Sequence, residues 1–200
     1  MAEERTLLFD VETTPNLSYT WGGKREVNVI EFLKEGYMIS FAWRWLNESK
    51  VNCLSLPMFG SYKKAPENNK LLMLELKKLY EKADRVIGHN LVAFDDKVAN
   101  TNWIDNDILP PKLHYTTDTL KLARKYFKFG SNSLKDLAIR LKLPHKAETG
   151  GFKLWLGCMH GVAADWRTME SYNKQDIVVL DGVHTKFLPY TTREKLKRIR

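Results

Sequence analysis

The stretch that decides the fold is LLFDVETTP, Leu7–Pro15. Its apolar residues at 7, 9 and 11 alternate with other side chains, and this period of two predicts a β-strand with those three residues on one face. Asp10 and Glu12 then share the opposite face with Leu8. Residues two apart on a strand are roughly 6.5–7 Å apart at the backbone, so both carboxylates can converge on one cation or on a pair of cations.

A single acidic pair of this kind has a simpler interpretation, an edge strand with a solvated acidic face. Two converging carboxylates repel each other unless a cation lies between them. The metal interpretation therefore requires further carboxylates elsewhere in the chain.

The length and composition predict one globular domain. The chain has 200 residues with 44% hydrophobic content, enough for a core of its own. We expect this domain to span residues 1–190, followed by a basic tail at 191–200. No run of 18 apolar residues is present and the first residues are charged, so we expect a cytoplasmic protein with no membrane segment. The two cysteines, Cys53 and Cys158, lie far apart and are expected to be reduced and buried.

The net charge of +8 is concentrated in two segments. Residues 112–146 contain nine Lys and Arg against two Asp, and residues 186–200 contain six against one Glu. Nucleic acid is a natural partner for such a distribution, because cations that neutralise phosphates release counterions. Charge alone equally describes a soluble basic surface.

The first half of the chain reads as a sheet followed by a helix. Alternating apolar residues predict strands at 37–46 and 51–56, and apolar residues spaced three and four apart predict a helix at 70–83. A short buried strand is predicted at 85–88, and a short helix at 27–34. This order favours an α/β fold with a mixed central sheet, an antiparallel meander plus a parallel strand, flanked by helices.

Three further helices follow in the sequence. The first runs from Ala93 to about Trp103 and has Asp95 and Asp96 in its first turn, where the helix dipole alone would favour acids. Only one of these neighbours can face a given site. The others are predicted at 118–127, introduced by Thr117, and at 134–141, and the segment 144–164 is predicted to be irregular with a helical piece around Trp155.

The last helix carries one unusual residue. Six of its residues follow one another at intervals of three or four and form a stripe that is apolar except at Asp176. They are Met169, Tyr172, Asp176, Leu180, Val183 and Phe187. A carboxylate on a buried face must be protonated, paired with a cation or bound to metal. A Lys partner at the edge of the stripe is the simpler alternative.

Three segments now stand in order: FDVET at 9–13, NLVAFD at 90–95 and YNKQD at 172–176. Together they resemble the motifs D-x-E, N-x-x-x-[FY]-D and Y-x-x-x-D of the DEDD superfamily of 3′–5′ exonucleases. The histidine branch of that superfamily has His five residues before the last Asp, where this chain has Ser171, so the resemblance is to the tyrosine (DEDDy) branch. It is similar to polymerase proofreading domains and to small phage or standalone exonucleases, which have the ribonuclease H-like fold.

The resemblance implies a metal-dependent mechanism. Asp10, Glu12, Asp95 and Asp176 would hold two Mg²⁺ or Mn²⁺ ions, and Tyr172 would orient the attacking water. The expected activity is hydrolysis of the terminal phosphodiester of DNA, at single-stranded ends, releasing 5′-mononucleotides. The implied setting is the cytoplasm of a bacterial or phage-infected cell, with a polymerase or other replication protein acting in trans.

Substrate contacts are also implied. They are expected from the backbone around Thr13, from Asn90 as the residue that fixes the turn before Asp95, and from Phe94, for which core packing is an equal alternative. Basic candidates for phosphate contacts are Lys121, Arg124, Lys125 and Lys128. Two other functions remain open: a 3′–5′ exoribonuclease, and a nucleic-acid-binding module that has lost catalysis.

Overall fold

The structure is a computed structural model that describes residues 4–22, 27–112, 114–144 and 150–191. The strands in this part of the chain are β1 Thr6–Thr13, β2 Leu17–Trp21, β3 Asn28–Lys34, β4 Met38–Trp45, β5 Asn52–Ser55, β6 Arg85–Gly88 and β7 Tyr115–Asp118. The helices are α1 Lys70–Lys82, α2 Asp95–Asp105, α3 Thr119–Tyr126, α4 Leu134–Arg140, α5 Phe152–Met159 and α6 Ala163–Thr191. The predicted basic tail, apart from Thr191, lies outside the described residues, as does Lys146.

The central sheet is mixed and has β1 in its middle. Its strand order is β5-β4-β1-β6-β7, with β1 antiparallel to β4 and parallel to β6. The β4–β5 pair is antiparallel, and the β6–β7 pair is parallel. The predicted ribonuclease H-like α/β architecture, an antiparallel meander joined to a parallel part, is therefore confirmed.

Both faces of β1 are covered. The face with Leu7, Phe9 and Val11 packs against α1 in the largest apolar cluster. On the opposite face, Leu8 packs with Ile177 and Leu180 of α6. Because Asp10 and Glu12 share this second face with Leu8, the sheet presents both acids to α6.

The residues of the predicted stripe on α6 contribute to three separate clusters. Met169 and Tyr172 pack with the largest cluster, Leu180 packs behind β1, and Val183 and Phe187 pack against α3 and α4. Asp176 lies between these apolar contacts and is itself buried. The long helix therefore packs across β5, β4 and β1 and carries this one carboxylate to β1.

The prediction of a short helix at 27–34 is wrong. Asn28–Lys34 is β3, which pairs antiparallel with β2 in a separate two-stranded hairpin. The segment contains Val29, Ile30 and Phe32, residues that favour extended structure, and its cross-strand partner supplies the hydrogen bonds that a helix would otherwise make. Strands β2 and β7 were not predicted either.

The predicted N-terminus of α3 is also corrected. Thr117 lies within β7, and Asp118 is the capping residue: its carboxylate accepts hydrogen bonds from the backbone N–H of Leu120 at 3.0 Å and of Lys121 at 3.3 Å. A carboxylate caps a helix by satisfying donors that have no partner within the helix.

Within the described ranges, no helix combines the length and apolar character that crossing a membrane requires.

Candidate active site

The two acids of β1 lie where its pairing with β4 becomes irregular. Residues from Leu7 to Glu12 pair in register with β4, and the register shifts between Glu12 and Thr13. Such irregularities bend a strand and redirect its side chains, and they are common beside active sites. The strand therefore turns away directly after presenting Asp10 and Glu12 to α6.

Three carboxylates converge at this point. Asp10, Glu12 and Asp176 each offer an oxygen, and these oxygens all lie within 4.8 Å of one another. The first two are partly buried and Asp176 is buried. Carboxylate oxygens at this spacing favour a hard divalent cation such as Mg²⁺ or Mn²⁺, since the cation offsets their mutual repulsion. The cluster has the donor set of a metal site.

Asn173 holds the first of these carboxylates in place. Its Nδ2 donates to Asp10 Oδ2 at 2.8 Å and to the Asp10 carbonyl at 3.4 Å. Its Oδ1 accepts from Ser40 Oγ of β4 at 3.2 Å, which leaves the amide nitrogen facing Asp10. Asn173 is fully buried, so this arrangement is fixed by packing as well as by hydrogen bonds.

Asp95 approaches the same site from the N-terminus of α2. It is the first residue of α2, is buried, and accepts a hydrogen bond from Val11 N–H at 3.2 Å. Burial and then the nearby Asp10 carboxylate raise the pKa of Asp95 well above its usual value. Asp96 has a different environment, because its Oδ1 accepts from the hydroxyl of Tyr80 at 3.2 Å. The structure thus places Asp95, rather than Asp96, beside Asp10.

A tight turn after β6 positions α2. Asn90 has a left-handed backbone with a φ of 67°, which Asn tolerates better than most residues. Its N–H donates to Asp118 Oδ1 at 3.0 Å, and its carbonyl accepts from Phe94 N–H at 2.9 Å. Asn90 therefore connects the turn to the cap of α3, and this accounts for its place in the motif.

Tyr172 lies one turn before Asp176 on α6. Burial, with smaller contributions from Glu12 and Asp10, raises the pKa of Tyr172 to about 12. Its ring packs edge-on against Trp155 of α5, with ring centroids 5.9 Å apart. The phenol therefore stays protonated near neutral pH and has a fixed orientation beside the carboxylates.

The predicted substrate-binding residues lie in different elements and differ in their exposure. Thr13 is partly buried at the end of β1, and Phe94 is 45% exposed, so Phe94 is not a core residue. The four basic candidates are all exposed: Lys121, Arg124, Lys125 and Lys128. Lys121, Arg124 and Lys125 belong to α3, which packs on the second half of α6 beyond Asp176. Their contact with phosphates stays a prediction.

Sequence reasoning missed Asn173 and Ser40. Asn173 directly follows Tyr172 and therefore points about 100° away from it around the helix, outside the stripe that drew attention. The available sign was a polar amide next to an apolar stripe on a helix predicted to pack on the sheet. Its partner Ser40 cross-pairs with Glu12, a register that only the folded sheet shows.

The crowding of acids predicts a stability penalty. In the metal-free protein the raised pKa of Asp95 means that folding favours its neutral form, so stability falls as the pH rises from the unfolded pKa through the folded one. We expect Asp95→Asn to raise the melting temperature at pH 7 in a chelator by about 3 °C or more. The gain should shrink towards pH 3, where the wild-type carboxyl is neutral in both states.

Asp136 provides a matched control, because its pKa is shifted in the opposite direction to that of Asp95. Hydrogen bonds from Ser131 and Ser133 lower the pKa of exposed Asp136, so Asp136→Asn should not stabilise the protein at pH 7. Thermal unfolding followed by circular dichroism measures both variants. A lower melting temperature for Asp95→Asn than for wild type at pH 7 would contradict the account of the site.

Part of the chain is similar to a known protein family. A family model described as Exonuclease (RNase_T) matches residues 60–148. The matched segment contains Asn90 and Asp95, while Asp10, Glu12 and Asp176 lie outside it. The match supports a nucleic-acid exonuclease, and therefore a nucleic-acid substrate. No curated protein matches the sequence.

Solved structures with a similar fold include a family B DNA polymerase from the hyperthermophilic archaeon Pyrobaculum calidifontis. The TM-score is 0.68 at 12% sequence identity, over 94% of this chain and 25% of the polymerase. The chain thus spans about a quarter of that polymerase's length. At this identity the likeness concerns the fold.

Proposed function

We propose that this protein is a metal-dependent 3′–5′ exonuclease that hydrolyses the terminal phosphodiester bond of single-stranded DNA and releases 5′-mononucleotides. The observation that carries the proposal is the convergence of Asp10, Glu12 and Asp176 within 4.8 Å, with Asp95 beside Asp10. The exonuclease family match and the polymerase-like fold support the same reaction class.

The residues divide the work as follows. Asp10, Glu12, Asp95 and Asp176 would hold two Mg²⁺ or Mn²⁺ ions, which activate water and stabilise the charge that develops on the leaving oxygen. Asn173 keeps the Asp10 carboxylate in one orientation. Tyr172 donates a hydrogen bond that aligns the attacking water with the phosphorus, since its raised pKa makes it a poor base at neutral pH.

This role for Tyr172 predicts a pH-independent defect. Tyr172→Phe keeps the packing against Trp155 and removes only the hydroxyl, so we expect cleavage to slow about 10- to 100-fold. The ratio of wild-type to variant rates should stay constant from about pH 6 to pH 9, because a phenol with a pKa of about 12 does not ionise there. Tyr62→Phe, at a tyrosine that instead accepts a hydrogen bond from Trp166, is the control and should cleave normally. A ratio that grows tenfold over this range would indicate that Tyr172 acts as a base.

The proposed reaction is tested with labelled single strands of DNA and RNA of the same sequence, incubated with Mg²⁺ or Mn²⁺. A 5′ label should give a ladder that shortens from the 3′ end, whereas a 3′ label should appear at once as mononucleotide. Faster cleavage of RNA would identify an exoribonuclease instead. Strands that stay intact while they are bound would leave the binding module as the explanation.

A further inference from the structure

The β2–β3 hairpin begins and ends beside the candidate active site. Strand β2 starts at Leu17, five residues after Glu12. Strand β3 ends at Lys34, and Met38, the first residue of β4, pairs with Thr13. Both strands of the hairpin therefore lead back to the C-terminal end of β1, where its two acids lie.

Hydrogen bonds attach the base of the hairpin next to this end of β1. Thr14 N–H donates to the Tyr37 carbonyl at 2.9 Å, and Tyr37 N–H donates to Thr14 Oγ1 at 3.0 Å. Gly36 N–H donates to Asn16 Oδ1 at 2.6 Å, and a Cβ at Gly36 would lie 2.3 Å from the Thr14 carbonyl oxygen. These contacts bring the two chain segments together and fix the direction in which the hairpin leaves the domain.

Above this base the hairpin exposes an unusual amount of apolar surface. Seven large apolar side chains are 47–74% exposed: Leu17, Tyr19, Trp21, Val29, Ile30, Phe32 and Leu33. A two-stranded hairpin alone is marginally stable in water, and a contiguous exposed apolar patch marks an interaction site. The hairpin therefore has the properties of a binding element.

The pairing of β2 with β3 indicates which side chains share each face of the hairpin. Tyr19 and Trp21 are two residues apart on β2 and are 59% and 74% exposed. The pairing register shifts between Tyr19 and Thr20, where β3 has the extra residue Ile30. Because the extra residue lies on β3, β2 keeps its alternation and the two rings share a face. Their cross-strand partners are polar, Glu31 and Asn28. On the other face Ser18 pairs with Phe32. One face thus offers two aromatic side chains whose Cα atoms are roughly 7 Å apart along the strand.

We propose that Tyr19 and Trp21 form a stacking surface for bases of a single-stranded nucleic acid whose 3′ end lies at the carboxylate cluster. The inference rests on the proposed function, which places the 3′ end of a strand at the cluster, next to the end of β1 where the hairpin is attached. Aromatic side chains bind bases of any sequence through their π-faces. The hairpin then extends the substrate site beyond the residues that cleave.

The test measures binding against strand length, so that it does not depend on cleavage. Oligothymidylates of increasing length, labelled at the 5′ end, are titrated with the full chain in Ca²⁺, which we expect to support binding without turnover. Wild type should bind more tightly as the strand grows long enough to reach the hairpin. Tyr19→Ser with Trp21→Ser should lose at least about tenfold in affinity for the longer strands, so that length no longer matters.

Phe32→Ser is the matched control, since it removes an exposed aromatic side chain from the other face. It should bind strands of every length as wild type does, and circular dichroism should show that all variants are folded. Equal binding by wild type and the double variant at every length would overturn the proposal. So would an equal loss in Phe32→Ser, or a wild-type dimer that the double variant dissociates in sedimentation, because the hairpin would then bind protein. Length-dependent binding by a wild type that cleaves nothing would reject the proposed function and retain the stacking surface.

Discussion

Asp10→Ala is expected to lower the rate of 3′-end cleavage at least about a thousandfold. Asp10 belongs to the group of carboxylates within 4.8 Å of one another, and its side chain also receives the hydrogen bond from Asn173. Its removal takes away one of the proposed metal ligands and leaves the buried amide donor of Asn173 without this acceptor. Asp176→Asn should cause a comparable loss, because an amide cannot replace the charge of a buried carboxylate ligand.

Single-turnover rates on 5′-labelled DNA in saturating Mg²⁺ measure this effect. Binding of the same strand in Ca²⁺ shows whether the loss lies in chemistry or in affinity. Asp136→Ala is the control, because this exposed acid in the first turn of α4 accepts hydrogen bonds from Ser131 and from the capping residue Ser133 and should affect stability alone. An Asp10→Ala variant that cleaves within tenfold of wild type would mean that another group of residues performs the reaction.

Asn173→Ala should slow cleavage about 10- to 100-fold at low Mg²⁺. The variant keeps every carboxylate but loses the donor that orients Asp10 at 2.8 Å. The carboxylate can then rotate, so the expected defect is a higher Mg²⁺ concentration for half-maximal rate, and saturating metal should restore much of the activity. Residues that orient a ligand in this way tune metal affinity more than the chemical step.

Ser40→Ala tests whether the orientation of the Asn173 amide matters, because the amide itself remains in this variant. It removes the Ser40 donor to Asn173 Oδ1 and leaves the weaker Cys53 Sγ donor at 3.9 Å, so it should raise the Mg²⁺ requirement in the same direction but less. Melting temperatures report any general loss of stability. If Asn173→Ala lowers the rate without changing its Mg²⁺ dependence, the residue serves packing rather than the orientation of Asp10.

Regular elements with one clear period could be predicted from the sequence. Strand β6 has the predicted bounds of 85–88, and α1 ends one residue before the predicted Ala83. Helix α1 has a single apolar face. Strand β6 is a short apolar run between polar residues, and its Val86 and Ile87 are buried in different clusters. The segment 27–34 has no such face, because its apolar residues at 27, 29, 30, 32 and 33 satisfy neither period alone. Its state depends on β2, a partner that the local pattern does not reveal.

The candidate site likewise contains residues that could be predicted from the sequence and residues that could not. Asp10 and Glu12 attract attention as two carboxylates on one face of a strand, which can converge on a cation, and Asp176 as a carboxylate on an otherwise apolar stripe. Asn173 gives no such warning, since its role depends on the distance between α6, β1 and β4. The hairpin was also beyond local reasoning, because the exposure of Tyr19 and Trp21 is a property of the folded chain.

The most direct test of the metal-dependent mechanism is anomalous X-ray scattering from crystals of the protein grown with Mn²⁺ and a 5′-mononucleotide. We expect two manganese peaks about 3.5–4 Å apart. The first should be bound by Asp10, Glu12 and Asp176, and the second should lie next to Asp10. Manganese bound elsewhere in the fold, with no peak among these carboxylates although the same preparation degrades DNA, would contradict the account.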